Sequence, residues 1–314
     1  MGLTVGVDVG GTKIAAGVVD DSGVILARAR RESPASDTEA IEECIAELVA
    51  ELRAEHEIEA VGVGAAGFVD GARSTVLFAP NLAWRDEPLK ADLERRIGLP
   101  VVIENDANAA AWGEFAYGAG ADVDDLLLVT VGTGVGGGLV LDGRLHRGAF
   151  GVAAEIGHFR VVPGGRVCGC GNRGCWEQYA SGSALVRDAK EQAREGSLMA
   201  QDLVDRAGGD IDAITGPLIT NAAKDGDVFS IERLATLGQW LGEGIASLAA
   251  ILDPAAVVIG GGVSEAGELL LDPIRAHFGS NLTGRKYRPS LEIRPATLGN
   301  RAGMIGAADL ARNP

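Results

Sequence analysis

The segment Asp8-Val-Gly-Gly-Thr-Lys-Ile-Ala-Ala-Gly-Val-Val-Asp20 decides the fold, because its pattern returns 122 residues later in the chain. Without a gap it aligns with Thr130-Val-Gly-Thr-Gly-Val-Gly-Gly-Gly-Leu-Val-Leu-Asp142. Each copy predicts a strand, a glycine-rich turn, a second strand and a hairpin. The repeat indicates an internal duplication of an α/β unit. Chance similarity between two segments rich in glycine and valine is the alternative.

Strands and helices alternate on both sides of these copies. The first copy extends into the predicted strands Leu3–Val9, Ile14–Val19 and Val24–Arg30, and an amphipathic helix begins at Asp37 or Thr38. The other predicted elements are strand Ala60–Gly67, helix Leu89–Ile97, strand Val101–Ile103, a helix through Leu234–Leu252, strand Ala256–Ile259 and a last helix, Ala302–Leu310. We expect that last helix to pack against the first lobe.

The composition limits the classes of function. The 314 residues are 46% hydrophobic and carry a formal net charge of -16, which disfavours a nucleic-acid partner because phosphates need a basic surface. The chain opens without a signal-peptide pattern. Its longest apolar stretch, Leu126–Leu141, is rich in glycine and too short to span a membrane. We therefore expect a cytoplasmic protein with no membrane segment.

The first glycine-rich turn, Asp8–Lys13, combines a carboxylate, small residues, a hydroxyl and an ammonium. Glycines let backbone N–H groups point at phosphate oxygens, and a lysine neutralises their charge. The spacing matches neither a Walker loop nor a dinucleotide fingerprint. A plain tight turn explains this loop alone equally well. Two further glycine-rich turns favour a binding site for a nucleotide with phosphates over a plain turn. They are Gly132-Thr133-Gly134 and Gly260-Gly261-Gly262.

A polar cluster, Glu104–Asn108, follows an apolar strand, at the strand end where ligands collect in open α/β sheets. A carboxylate there can accept the proton of a sugar hydroxyl that attacks a phosphoryl group. Capping of the next helix by Asn or Asp is the alternative, and these residues alone favour it.

The spacing of His158, Cys168, Cys170 and Cys175 supplies three thiolates and one imidazole, enough for a closed tetrahedral zinc site. Unligated loop cysteines are the alternative, which we disfavour because exposed thiols oxidise readily. Glu155 and Glu177 flank the cluster, and their carboxylates are suited to bidentate binding of sugar hydroxyls. For Trp176 a core position is favoured over stacking on a sugar.

Taken together, these motifs resemble the ROK family of repressors, open reading frames and sugar kinases, and most of all its bacterial ATP-dependent glucokinases of the actinobacterial type. The matching pieces run in the family's order along nearly the whole chain: Asp8–Lys13, Glu104–Asn108, Thr130–Gly138, Glu155–His158, Cys168–Glu177 and Ile259–Gly262.

The resemblance implies an actin-like ATPase (ribonuclease H-like) α/β fold in which two α/β lobes flank a cleft. We expect residues 1–110 plus about 300–314 to form the smaller lobe, and residues 111–299 the larger lobe with the zinc loop. The implied activity is ATP-dependent phosphorylation of the 6-hydroxyl of glucose, an entry to glycolysis. The alternative is another hexose, such as N-acetylmannosamine, N-acetylglucosamine or fructose.

The resemblance also implies roles for single residues, with ATP, Mg²⁺ and a structural Zn²⁺ as cofactors. Asp106 is the expected general base. The expected sugar ligands are Gly67, Asn105, Asp106, Glu155, His158 and Glu177. The expected nucleotide-side residues are Asp8, Gly10, Gly11, Thr12, Lys13, Thr133, Gly134 and Gly261. The expected zinc ligands are His158, Cys168, Cys170 and Cys175.

The kinases of this family are commonly dimers or tetramers, so the resemblance implies a homodimer or homotetramer. The rival class within the family is a sugar-responsive repressor with an N-terminal helix-turn-helix. We reject it because the first predicted strand begins at Leu3. A sugar-binding module without catalysis is also disfavoured, because Asp106 and Lys13 are both present.

Overall fold

Alternating apolar residues along Leu3–Val9 form the central strand of the first sheet in a computed structural model, which describes residues 2–312. The chain divides into two units. The first comprises the residues up to Leu128, Gly137–Ala154 and the residues from Ala296 onward. The second comprises Val129–Gly136 and Glu155–Pro295. The lobe boundaries that the sequence suggests remain a prediction.

The strands and helices follow one another in a mixed α/β order. As far as residue 117 they are β1 Leu3–Val9, β2 Lys13–Val19, β3 Ile25–Glu32, α1 Thr38–Arg53, β4 Ile58–Ala65, β5 Phe68–Val69, β6 Val76–Phe78, β7 Arg85–Glu87, α2 Leu89–Ile97, β8 Val101–Asn105 and α3 Asp106–Tyr117. The remaining elements are β9 Leu126–Val131, β10 Val135–Leu141, β11 Arg144–Leu145, α4 Glu177–Ala180, α5 Gly182–Arg194, α6 Gln201–Arg206, α7 Gly216–Lys224, α8 Val228–Leu252, β12 Ala256–Gly260, α9 Glu268–Asn281, β13 Glu292–Pro295 and α10 Ala302–Arg312.

Two five-stranded sheets have the same topology. The first has the order β3-β2-β1-β4-β8 and the second β11-β10-β9-β12-β13. In the first, β1, β2 and β3 pair antiparallel, whereas β4 pairs parallel with both β1 and β8. The second likewise has an antiparallel β10–β11 pair and a parallel β12–β13 pair. This shared order confirms the duplication that the repeated sequence segments predict.

The last helix, α10, packs against the first sheet through glycines. A Cβ atom on Gly6 of β1 would lie 1.8 Å from the carbonyl oxygen of Met304, and one on Gly62 of β4 would lie 1.8 Å from that of Ala307. Only glycine permits such a close approach between a strand and a helix backbone. The predicted packing of the last helix on the first lobe is therefore confirmed.

Several predicted bounds need correction. The predicted strand Ala60–Gly67 lies two residues earlier, as Ile58–Ala65, so Gly67 follows the strand. The last helix runs on to Arg312, and the long helix α8 starts at Val228. The sequence did not predict the small β5-β6-β7 sheet, because strands of two or three residues show no periodicity. Across residues 2–312, no helix combines the length and apolar character needed to cross a bilayer.

Candidate functional site

The junction between β8 and α3 presents a carboxylate on a hydrogen-bonded frame. Asn105 is the N-cap of α3, and its Oδ1 accepts a hydrogen bond from the backbone N–H of Asn108 at 2.9 Å. Its Nδ2 donates to the carbonyl oxygen of Gly67 at 3.1 Å and to Oδ1 of Asp106 at 3.1 Å. We call residues 104–108 with Gly67 the Asp106 corner. Here the capping alternative holds for Asn105, while the carboxylate of Asp106 stays available.

The surroundings of Asp106 make it a stronger base than an ordinary aspartate. Burial, followed by repulsion from Asp8, raises the pKa of Asp106 to about 6. Burial also raises the pKa of Asp8, and the ammonium of Lys13 opposes that shift. A carboxylate whose pKa approaches neutrality is still ionised at pH 7 and accepts a proton more readily, as general bases must.

The turn between β1 and β2 is closed by a hydrogen bond from the N–H of Gly10 to the carbonyl oxygen of Lys13 at 3.0 Å. Gly11 packs closely, since a Cβ there would lie 3.2 Å from the carbonyl oxygen of Asn81. The side chains of Thr12 and Lys13 are exposed. The loop is thus a tight turn and, at the same time, presents a hydroxyl and an ammonium to solvent.

In the second unit, His158, Cys168, Cys170 and Cys175 come together as predicted. One donor atom from each lies within 4.8 Å of all the others. Nδ1 of His158 lies 3.6 Å from Sγ of Cys168, and Sγ of Cys170 lies 3.6 Å from Sγ of Cys175. These separations match the edges of a zinc tetrahedron, which bond lengths of about 2.0–2.3 Å place at roughly 3.5–3.8 Å. The four residues fit Zn²⁺, with no position left for water.

The loop that carries these ligands, residues 158–177, is called the zinc knot below. Its secondary structure is minimal: a 3₁₀ turn at Ile156–His158, two isolated bridges and the first residue of α4. Gly174 has a φ of 77°, and a Cβ on it would lie 1.7 Å from the carbonyl oxygen of Val162. Burial raises the pKa of the Cys168 and Cys175 thiols, so bound zinc must displace their protons.

Glu177 links the zinc knot to the second glycine-rich turn. Its Oε1 lies 3.0 Å from Sγ of Cys168 and 3.6 Å from Nδ1 of His158. A Cβ on Gly134 would lie 2.7 Å from Oε2 of Glu177. Trp176 is fully buried and donates from Nε1 to the carbonyl oxygen of Trp240 at 2.8 Å, which confirms the core position. Glu155 precedes the 3₁₀ turn, and its carbonyl accepts from the N–H of His158 at 3.0 Å.

A large cavity of about 1010 Å³ opens beside the turn between β9 and β10 in the second unit. Gly132 and Thr133 line it, together with Gly262. The rest of the wall comes from α5, α7 and the segments before α7 and after β12, including Ser183, Lys190, Arg194, Thr215, Pro217 and Lys224. Sequence reasoning missed these residues, because nothing in their local pattern marks a ligand site.

The predicted nucleotide-side residues of the second unit therefore differ in their surroundings: some line the cavity and others do not. Thr133 lines the cavity, whereas Gly134 packs against Glu177 instead. Gly261 precedes the lining residue Gly262 and has a φ of 87°. A Cβ on Gly261 would lie 2.5 Å from the carbonyl oxygen of Val131, so its role in the structure is a close backbone crossing.

The chain is similar in sequence and in structure to known proteins. The sequence model described as ROK family matches residues 4–313. A glucokinase of Streptomyces coelicolor is 52% identical over 314 residues, covering 100% of this chain and 99% of that protein. A ROK family glucokinase of Streptomyces griseus, solved in complex with glucose and AMPPNP, is 54% identical with a TM-score of 0.92, covering 100% of both chains.

A solved structure of lower sequence identity also has a similar fold. A ROK hexokinase of Thermus thermophilus is 35% identical with a TM-score of 0.79, covering 99% of this chain and 98% of that one. Together with the mixed α/β architecture, these matches confirm the predicted fold class, the actin-like ATPase fold.

Proposed function

The chain belongs to the ROK family, and from that premise we propose that it is an ATP-dependent glucokinase. It transfers the γ-phosphoryl group of ATP to the 6-hydroxyl of glucose, giving ADP and glucose 6-phosphate. The observation that carries the proposal is the Asp106 corner, where a hydrogen-bonded carboxylate has a pKa of about 6. The Streptomyces griseus relative, solved with glucose and AMPPNP, supports both substrates.

Asp106 is the general base in this proposal. As O6 of glucose attacks the γ-phosphorus, the bond from that phosphorus to the leaving oxygen of ADP breaks, and the O6 proton passes to the carboxylate of Asp106. Asn105 holds that carboxylate through Nδ2 at 3.1 Å. General-base catalysis of this kind contributes about 10²–10⁴-fold to the rate.

The sugar is bound by residues that the family pattern assigns to it. Asn105 and the backbone of Gly67 lie side by side in the first unit, joined at 3.1 Å. Glu155, His158 and Glu177 are the other proposed sugar ligands. In His158 one ring nitrogen would bind zinc, and the other would be available to a sugar hydroxyl. The close set of His158 and Glu177 supports a shared role in orienting glucose.

In this proposal the protein binds both the phosphates and the base of ATP. Asp8, Gly10, Gly11, Thr12 and Lys13 act on the phosphate side, with the exposed Thr12 hydroxyl and Lys13 ammonium as donors. Mg²⁺ bound together with ATP would supply positive charge to the phosphates. Asp8 would help to hold that ion. The cavity beside Thr133 takes the base and ribose, and Gly134 and Gly261 shape the turns at its edge.

Zinc is structural in this proposal. His158, Cys168, Cys170 and Cys175 would hold it, and the ion would cross-link a loop whose strand pairing is limited to two isolated β-bridges. The ligands thereby fix the adjacent Glu177. We place the enzyme in the cytoplasm, where ATP is available and thiolates stay reduced, and assign it a homodimeric or homotetrameric state.

A coupled kinase assay tests the function, with glucose, fructose, N-acetylglucosamine and N-acetylmannosamine each offered with ATP or polyphosphate. We expect glucose with ATP to give the highest kcat/KM, because relatives at 52% and 54% identity are glucokinases. A higher kcat/KM for another hexose would reassign the substrate. Absence of phosphorylation on every sugar and donor would reject the kinase proposal.

A further inference from the structure

A buried carboxylate that the proposed chemistry leaves unused lies one residue before Asn105. Glu104 is only 2% exposed. Its Oε1 accepts hydrogen bonds from the backbone N–H of Asn105 and from Nδ2 of Asn108, each at 3.1 Å. One oxygen of Glu104 is therefore committed to the strand–helix junction that presents Asp106.

The other oxygen of Glu104 faces two arginines. Oε2 lies 2.5 Å from Nε of Arg147 and 3.5 Å from Nε of Arg73. The arginine side chains are themselves mostly buried, 24% and 16% exposed. Burial and then the charge of Arg147 lower the pKa of Arg73 to about 10, and Glu104 opposes this. Without Glu104, two partly buried cations would lie close together with no counter-charge between them.

The two arginines come from segments that are themselves fixed. Arg73 lies in the β5–β6 turn with a φ of 59°, an uncommon conformation for a residue with a side chain. Its N–H donates to the carbonyl oxygen of Asp70 at 3.0 Å. The loop after β11, which carries Arg147, packs on this turn at Gly151, where a Cβ would lie 2.4 Å from the carbonyl oxygen of Val69. Both segments therefore reach Glu104 from rigid positions.

We propose that Glu104 is a positioning residue for phosphoryl transfer, which fixes Asn105 and Asp106 by tying their junction to the Arg73 turn and the Arg147 loop. The inference rests on the proposed glucokinase function. Glu104 touches no reacting atom; it acts by restricting where Asp106 and the Asn105 amide can lie. Displacement of a catalytic group by about 1 Å can cost about 10²-fold in rate.

Glu104→Gln tests this role, because it keeps the shape and removes the charge, so an amide N–H must face a neighbouring donor. We expect kcat with glucose to fall about 10-fold to 100-fold and the KM for glucose to rise, while the KM for ATP stays within about twofold. Arg147→Met should repeat the loss, and Arg147→Lys, which keeps the positive charge, should recover most of the turnover.

The matched control is Glu51→Gln, which breaks an Arg–Glu pair of the same 2.5 Å length at the surface, where Arg31 and Glu51 are 44% and 50% exposed. It should leave both KM values and kcat unchanged. Turnover of Glu104→Gln within twofold of the unmodified protein overturns the proposal. So does a fall in kcat explained wholly by a smaller folded fraction, measured by circular dichroism.

Two further results keep the inference separate from the proposed function. If Glu104→Gln does not fold, the pair Arg147→Met and Arg147→Lys decides: equal turnover in the two variants overturns the proposal. If the unmodified protein phosphorylates no hexose in the same assay, the glucokinase function fails, and the positioning role for this reaction fails with it.

Discussion

The Asp106 corner and the zinc knot hold reactive side chains by different means. At the corner, a strand ends, a helix begins, and the capping amide of Asn105 holds the neighbouring Asp106 carboxylate at 3.1 Å. In the zinc knot, His158 ends a 3₁₀ turn and Glu177 begins α4, and the residues between them pair through two isolated bridges and backbone hydrogen bonds such as that from Cys168 N–H to the carbonyl oxygen of Asn172. Regular secondary structure supplies the frame in the first region, whereas in the second we propose that four metal ligands add to these backbone contacts.

Because of this difference, substitutions in the two regions should affect activity and stability differently. The Asp106 corner keeps its shape without the Asp106 charge, because the hydrogen bonds from Asn105 N–H to Glu104 and from Asn108 N–H to Oδ1 of Asn105 do not involve that carboxylate. We expect the zinc knot to depend on its proposed ligands for both shape and function, because metal binding and folding are coupled. Variants in the two regions should therefore show opposite relations between turnover and stability.

The largest effect is expected from Asp106→Asn. It keeps the size of the side chain and removes the proton acceptor, so kcat should fall about 10²–10⁴-fold while glucose binding, measured by calorimetry, survives in weakened form. In the unmodified enzyme, kcat/KM should decline below about pH 6, where Asp106 with its raised pKa becomes protonated. A variant with near-normal turnover would show that Asp106 is only part of the helix start.

The same variant should be more stable. The pKa of Asp106 is raised from 3.8 to about 6 in the folded protein, so ionisation above that range destabilises the fold, and the penalty disappears as the pH falls below it. Asparagine removes the penalty, and the gain at pH 7 is at most about 3 kcal/mol. Urea unfolding at pH 7 and pH 4 checks this: the gain should shrink at the lower pH.

A smaller loss of activity, but with a loss of stability, is expected from Cys170→Ala. Zinc per chain should fall well below one, and kcat/KM for glucose should fall about 10-fold to 100-fold, because the metal fixes the segment that carries Glu177. The thermal midpoint should fall together with activity. The matched control is Cys44→Ala, a half-buried cysteine on α1 outside the ligand set, which should keep its zinc. A fully active, zinc-free Cys170→Ala protein would remove the structural role of the metal.

The sequence predicts many of the strands and helices, because the patterns that mark them lie within short stretches of the chain. The strand Leu3–Val9 and the helix Leu89–Ile97 have the predicted bounds, since apolar alternation marks the first and Gly98 with a φ of 71° ends the second. The cluster of His158, Cys168, Cys170 and Cys175 was predictable for the same reason: its members lie within 18 residues of sequence. Repetition of one turn pattern predicted the second sheet.

What the sequence does not predict depends on distant contacts. Glu104 meets Arg147 across a separation of 43 residues, and no periodicity links the two positions. The cavity walls on α5 and α7 likewise meet only after the helices pack. Gly134 looks like a nucleotide residue by its place in the repeat, yet its neighbour is a carboxylate 43 residues further along the chain, Glu177. Such contacts follow from topology, which local patterns leave open.

The smallest effect is expected from Gly134→Ala, which tests how rigidly the zinc knot holds Glu177. The added Cβ would lie 2.7 Å from Oε2 of Glu177, so the carboxylate must move by a few tenths of an ångström. Because that oxygen is at the far end of a side chain, we expect only a rise of about threefold to tenfold in the KM for glucose, with zinc content unchanged. Gly132→Ala is the matched comparison in the same turn, since nothing lies within 4 Å of its Cβ position, and the KM for glucose should not change. Equal KM values for both variants would show that Glu177 adapts freely, and the zinc knot would then be no more than a stabilising clasp.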